Sequence, residues 1–158
     1  MNILAFPGQG SQKIGMGKIF YENFDTAKSV FEEVDNTLNF KLSKLIFDGD
    51  ISELSLTSNT QPALMAVSIA ILRVFLEENK VNINEKFKFV CGHSLGEFTA
   101  LCAANVLSLK DTANLLKINY CKIYINYYIA IKLLAVIKHN GFTNWYIHRE
   151  NLCLYMKV

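Results

Sequence analysis

The 158 residues are 51% hydrophobic and 19% charged, with a formal net charge of +2. That is enough for one ordinary domain burying roughly two-thirds of its unfolded surface, and too apolar for a disordered tail, which could not offset its ordering entropy. Lys and Arg are mixed with acids through most of the chain rather than gathered on one stripe, so there is no electrostatic case for nucleic acid.

The N-terminus, Met1-Asn2-Ile3-Leu4-Ala5-Phe6-Pro7, is an apolar run too short for a signal-peptide core and lacks a basic start, so neither export nor membrane insertion is expected. Cys91, Cys102, Cys121 and Cys153 are far apart, with no Cys-x-x-Cys pair and no His at ligand spacing. Neither a zinc site nor a disulfide framework is expected, and a reducing cytoplasm is the expected location.

In chain order, residues 2 to 6 read as a short, fully buried strand stopped by Pro7-Gly8. The loop Gly8-Gln9-Gly10-Ser11-Gln12 follows, with Gln9 and Gln12 read at this level as solvated side chains. From Met16 to Leu38 the residues Ile19, Phe20, Phe24, Ala27, Val30, Phe31 and Val34 recur three or four apart, which predicts amphipathic helix broken near Asn23 to Asp25. A short helix is expected over Leu42 to Phe47, closed by Asp48-Gly49-Asp50. Thr60-Gln61-Pro62 reads as a helix start, because Thr caps and Pro is tolerated in a first turn. The residues from Ala63 to Leu76 are apolar nearly all round, which predicts a core helix running to Glu77. Phe87 to Cys91 reads as a strand ending at Gly92, Leu95 to Ala104 as a helix, and Ser108 with Asp111 as the cap of one more helix.

The composition changes near residue 118. The first 117 residues hold 13 of the 14 acids and one of the seven Tyr, whereas Ile, Tyr, Asn and Lys make up 22 of the last 41 residues. Two readings fit: an aromatic helix from Tyr120 to Ile137 packed on the core, or out-of-frame translation of an AT-rich gene. The chain therefore divides into residues 1–117 and a divergent tail, 118–158.

Gly92-His93-Ser94-Leu95-Gly96 lies between the predicted strand and helix. Glycines flanking a serine permit a sharp turn that lifts its hydroxyl above the sheet edge. The amide of Leu95, at the start of the helix, then faces the place where a tetrahedral intermediate develops negative charge. A second donor has to come from another loop, and Gly8 to Gln12, at the end of a neighbouring parallel strand, is placed to supply it. Ser is also a preferred helix N-cap, which is the alternative reading of Ser94. His93 adjoins the serine in sequence and points elsewhere, so it reads as support for the turn rather than a base. Glu97 is a first-turn acid on the helix dipole, and His139 and His148 fall in the tail.

Phe6-Pro7-Gly8-Gln9-Gly10-Ser11-Gln12, Thr60-Gln61-Pro62-Ala63-Leu64 and Gly92-His93-Ser94-Leu95-Gly96-Glu97 stand in the same order as in malonyl-CoA:acyl-carrier-protein transacylases, which residues 1–117 resemble. The resemblance implies an α/β-hydrolase-like parallel sheet core, truncated before a ferredoxin-like small subdomain. It implies transfer of a malonyl group from malonyl-CoA to the phosphopantetheine thiol of acyl carrier protein, through a malonyl-serine ester, in type II fatty acid synthesis. Ser94 would be the nucleophile, the amides of Gln9 and Leu95 the oxyanion hole, and Gln61 and His93 near-site residues. The implied partners are acyl carrier protein and a coenzyme A thioester, with no bound cofactor and no metal. Two departures imply an incomplete enzyme whose transfer activity is impaired in this chain. The family's carboxylate-binding arginine falls at Asn119, and its catalytic histidine and a supporting glutamine are expected beyond the end of this chain. A noncatalytic fragment binding acyl carrier protein or a complementary chain, and a serine hydrolase, are the other readings.

Overall fold

A computed structural model describes residues 2–118 and the strand backbones at 145–148 and 153–157. Strand β1, Ile3–Phe6, pairs in parallel with β2, Phe89–His93, with Ile3 opposite Phe89 and Phe6 opposite Gly92. Strands β3, Trp145–His148, and β4, Cys153–Lys157, are antiparallel to each other, and β4 is antiparallel to β2. The sheet order is β1-β2-β4-β3, so the expected parallel pair forms its centre and one edge. The expectation that residues 2–6 are fully buried is corrected. Phe6 points into the core, while Ile3 is 52% exposed, because β1 is an edge strand among the described residues. The aromatic stretch from Tyr120 to Ile137 lies outside the described residues.

The helical layer follows the apolar periodicity closely. Helix α1, Lys18–Asn23, and helix α2, Asp25–Leu38, meet at Phe24, whose extended backbone makes the expected break. Helix α3, Leu42–Asp48, ends at Gly49. An unpredicted turn of helix, α4 (Ile51–Leu54), starts where the Asp50 carboxylate accepts from the Ser52 and Glu53 amides. Phe31, Tyr21 and Phe47 form a cluster with ring centroids 5.0 to 5.7 Å apart. Burying Phe31 and Phe47 contributes about 1.5–3 kcal/mol each, with Tyr21 half-buried beside them.

Helix α5, Thr57–Glu78, is the axis of the molecule and starts three residues before the expected cap. Thr60 and Pro62 are inside it. Thr60 is fully buried and its hydroxyl donates to the Leu54 carbonyl, while the Asn59 amide donates to the Glu53 carbonyl at 3.0 Å. These side chains pin the first turns of α5 to the end of α4, and that anchoring on the preceding helix rather than a cap by Thr60 sets the start. By length and composition α5 could also cross a membrane, and 67% of its apolar window is buried in this fold. Helix α6, Ile83–Lys86, is set by an Asn82–Glu85 capping box and occupies residues just ahead of the expected strand. Strand β2 consequently begins at Phe89 rather than Phe87. Helix α7, Leu95–Ala103, and helix α8, Leu109–Lys117, complete the layer. The Ser108 hydroxyl accepts from the Asp111 amide at 3.0 Å, as the capping pattern predicts.

Candidate active site at the β2–α7 elbow

Ser94 joins β2 to α7 with φ 57° and ψ −115°. A helix N-cap has an extended backbone and accepts from the first turn. Ser94 has neither property: its φ is positive, its side chain makes no cap bond, and among the described residues its hydroxyl has no partner. A serine held in a conformation that glycine prefers, with its hydroxyl exposed, is stored strain of the kind concentrated at functional sites. Ser94 therefore does not cap α7 with its side chain, and its backbone makes the sharp strand-to-helix turn expected of the Gly-x-Ser-x-Gly segment.

Both flanking glycines are needed for close approach. A Cβ on Gly92 would run into the Gly96 carbonyl, and one on Gly96 would lie 2.5 Å from the Phe6 carbonyl oxygen and 2.9 Å from that of Pro7. The first turn of α7 is thus seated on both strand ends at once. The loop after β1 reaches the elbow from the other side, where a Cβ on Gly8 would lie 2.9 Å from His93 Nδ1. The fold therefore brings together Gly8, His93, Ser94 and the N-terminal turn of α7, in which Glu97 is half-buried. That turn offers backbone N–H groups and the positive end of the helix dipole to a developing anion.

The other expected residues are more dispersed. Gln61 is half-buried in the second turn of α5, which packs against α7. His93 lies against Gly8 and makes no hydrogen bond to Ser94 among the described residues. Asn119 and His139 lie outside the described residues. The backbone of His148 ends β3 opposite Cys153, which in turn pairs with His93, so His148 shares a register row with the elbow two strands away. No group of three or more His, Cys, Asp or Glu among the described residues is arranged to hold a metal ion. A separate cavity of about 760 Å³, lined in part by Arg73, Lys80, Glu85 and Cys102, lies at the opposite end of α7. Burial there pushes the Cys102 thiol above its ordinary range.

Gln12 is not the freely solvated residue expected. Its Oε1 accepts from the Gly10 amide at 2.9 Å and its Nε2 donates to Ser55 Oγ at 3.4 Å, while Ser11 Oγ donates to the Gly8 carbonyl at 3.3 Å. Polar side chains within two residues of loop glycines are the local signal for such turns. The Ser55 contact has no local signal.

A strand, a sharply turned exposed serine and a glycine-walled helix N-terminus are the geometry shared by α/β folds of the nucleophile-elbow class. The chain belongs to the acyl transferase domain family, whose profile matches residues 4–128 and so runs beyond residue 117, where the resemblance was expected to end. It is similar to the malonyl CoA-acyl carrier protein transacylase of Bacillus subtilis (strain 168), 56% identical over 106 residues, which are 67% of this chain and 32% of that protein. The fold resembles the acyl-carrier-protein S-malonyltransferase of Bartonella henselae, with a TM-score of 0.71 and 58% identity, covering 75% of this chain and 38% of that one. It also resembles a malonyl-transacylase solved in complex with its type II PKS acyl-carrier protein, with a TM-score of 0.67 and 37% identity, covering 73% of this chain and 36% of that one. The chain spans about a third of the length of the curated relatives it matches.

Proposed function

We propose that the chain carries the acyl-enzyme chemistry of malonyl transfer in type II fatty acid synthesis, with Ser94 as nucleophile and the Gln9 and Leu95 amides as oxyanion donors. The observation that carries this reading is the Ser94 hydroxyl, exposed and without a partner among the described residues, on a strained elbow wedged between the Gly8 loop and the first turn of α7. Ser94 Oγ attacks the thioester carbonyl of malonyl-CoA, the coenzyme A thiol leaves, and a malonyl-serine ester forms. The phosphopantetheine thiol of acyl carrier protein then attacks that ester and regenerates the serine. No metal or bound cofactor is called for, and the reducing cytoplasm is the proposed location.

Serine attack needs a group to accept its proton, and assistance of that kind is worth roughly 10²–10⁴-fold in rate. Among residues with described side chains His93 is the only histidine, and it lies against Gly8. In this reading residues 1–117 supply the nucleophile and oxyanion hole of the large subdomain, and the proton acceptor lies outside the described side chains. Asn119 at the arginine position offers no positive fork to the malonyl carboxylate.

The test is incubation of the chain with malonyl-CoA, with and without acyl carrier protein, followed by mass mapping of Ser94. A malonyl adduct at Ser94, lost in Ser94→Ala and discharged onto acyl carrier protein, is the expected result. Because Asn119 cannot select the carboxylate, acetyl-CoA is expected to load Ser94 at a similar rate. Adduct hydrolysis without transfer would favour a hydrolase. Binding of acyl carrier protein without any adduct would mark a noncatalytic fragment.

A further inference from the structure

We propose that Ser11 and Gln12 are the positioning residues that aim the Gln9 N–H at the elbow; this rests on the oxyanion role proposed for that amide. A peptide unit is planar, so fixing its carbonyl fixes the direction of its N–H on the opposite side. The Gly8 carbonyl and the Gln9 N–H belong to one peptide unit, and Ser11 Oγ holds that carbonyl at 3.3 Å. The next unit, Gln9–Gly10, is held through its N–H by Gln12 Oε1 at 2.9 Å. Two side chains thus set the two consecutive planes on either side of Gln9.

Packing holds the Gly8 end of the loop against His93 but does not hold its tip. Gly10 has φ +115°, and among the described residues nothing lies within 4 Å of where its Cβ would be, so no described side chain packs on the loop tip. Among the described residues, the hydrogen bond that ties residues 8–12 to another element is Gln12 Nε2 to Ser55 Oγ at 3.4 Å. Ser55 closes α4 and leads into α5, whose first turns are pinned by Thr60 and Asn59. The aim of the Gln9 amide is therefore referred to the core through Gln12, Ser55 and α5. An oxyanion donor acts only within a few tenths of an ångström of its place, and losing one costs about 10²–10³-fold in rate. Loosening one is expected to cost about tenfold.

The experiment compares the full chain with Ser11→Ala, Ser11→Thr, Gln12→Ala, Ser55→Ala and the Gln12→Ala/Ser55→Ala double variant. Two readouts are taken: the single-turnover rate of Ser94 loading across malonyl-CoA concentrations, and amide hydrogen exchange at Gln9 and Gly10. Ser11→Ala and Gln12→Ala should each lower the maximal loading rate about tenfold while leaving the half-saturating concentration and the thermal midpoint unchanged. Gly10 exchange should speed up by a similar factor in Gln12→Ala. Ser11→Thr, which keeps the hydroxyl, should load like the parent, and the double variant should be no slower than Gln12→Ala alone. Unchanged loading and exchange in the two alanine variants would overturn the proposal, as would a loss in Ser11→Thr equal to that in Ser11→Ala. If the parent chain forms no adduct, the function proposed for Ser94 fails, and exchange at Gly10 then decides the positioning role alone: faster exchange in Gln12→Ala supports it and parental exchange overturns it.

Discussion

Ser94 occupies a conformation that costs free energy and returns none of it through capping. Replacing it with glycine, which tolerates φ 57° and ψ −115°, should stabilise the fold by about 1 kcal/mol while abolishing the Ser94 adduct. Thermal unfolding of Ser94→Gly beside Ser94→Ala checks this, and equal midpoints would show that the elbow is unstrained. Gly96 has the opposite sensitivity. A methyl group there meets the Phe6 carbonyl oxygen, so Gly96→Ala should lower stability by about 3 kcal/mol or more by prying α7 off the end of β1. Denaturant titration reads that loss directly. The motif around Ser94 was legible in the sequence because glycines on both sides of a serine have few other uses at a strand–helix junction. The clamp by Ser11 and Gln12 was only half legible, because one of its partners, Ser55, is 43 residues away.

At the scale of elements, α5 shows where local rules gave way. Thr60 looked like a cap because Thr before Pro commonly starts a helix, yet its hydroxyl bonds the Leu54 carbonyl of the preceding helix. Thr60→Val keeps the shape and removes the donor, so it should cost about 1–2 kcal/mol by chemical denaturation through the buried carbonyl left unpaired. The start of α4 should respond to pH. The Ser52 side chain, then the Ser52 and Glu53 amides, hold the Asp50 carboxyl below its ordinary value of 3.8. A depressed carboxyl contributes stability that is fully present above the unfolded value and is lost as pH falls through the lower folded value. Protection of the Ser52 and Glu53 amides should therefore fade below 3.8. Asp50→Asn, which still caps, should remove that pH dependence in an exchange measurement.

For the whole molecule, the buried cluster described runs from Phe6 to Leu116, with α2, α5, α7 and α8 packed together behind β1 and β2. β4 covers the second edge of β2. A chain ended after Ile118 should retain cooperative unfolding of the helical layer but leave both edges of a two-stranded parallel sheet open, a form that self-associates. Sedimentation analysis of that shortened chain should show concentration-dependent oligomers, and a monodisperse monomer would mean that β4 is dispensable as edge cover. The abrupt change of composition at residue 118 was plain in the sequence. The pairing of 153–157 with β2 was not, since strand partners distant in sequence have no local signal.

By itself the sequence determined the helix periods, the strand that ends at the elbow, the serine between its glycines and the order of three motifs, all of which rest on interactions among residues close in the chain. Tertiary structure alone decided that β1 is an edge among the described residues and that Ser94 sits on a strained turn rather than capping α7. Each of these depends on what a remote backbone or side chain places against the segment. Local propensity, worth fractions of a kcal/mol per residue, yields wherever burial or a buried hydrogen bond contributes more.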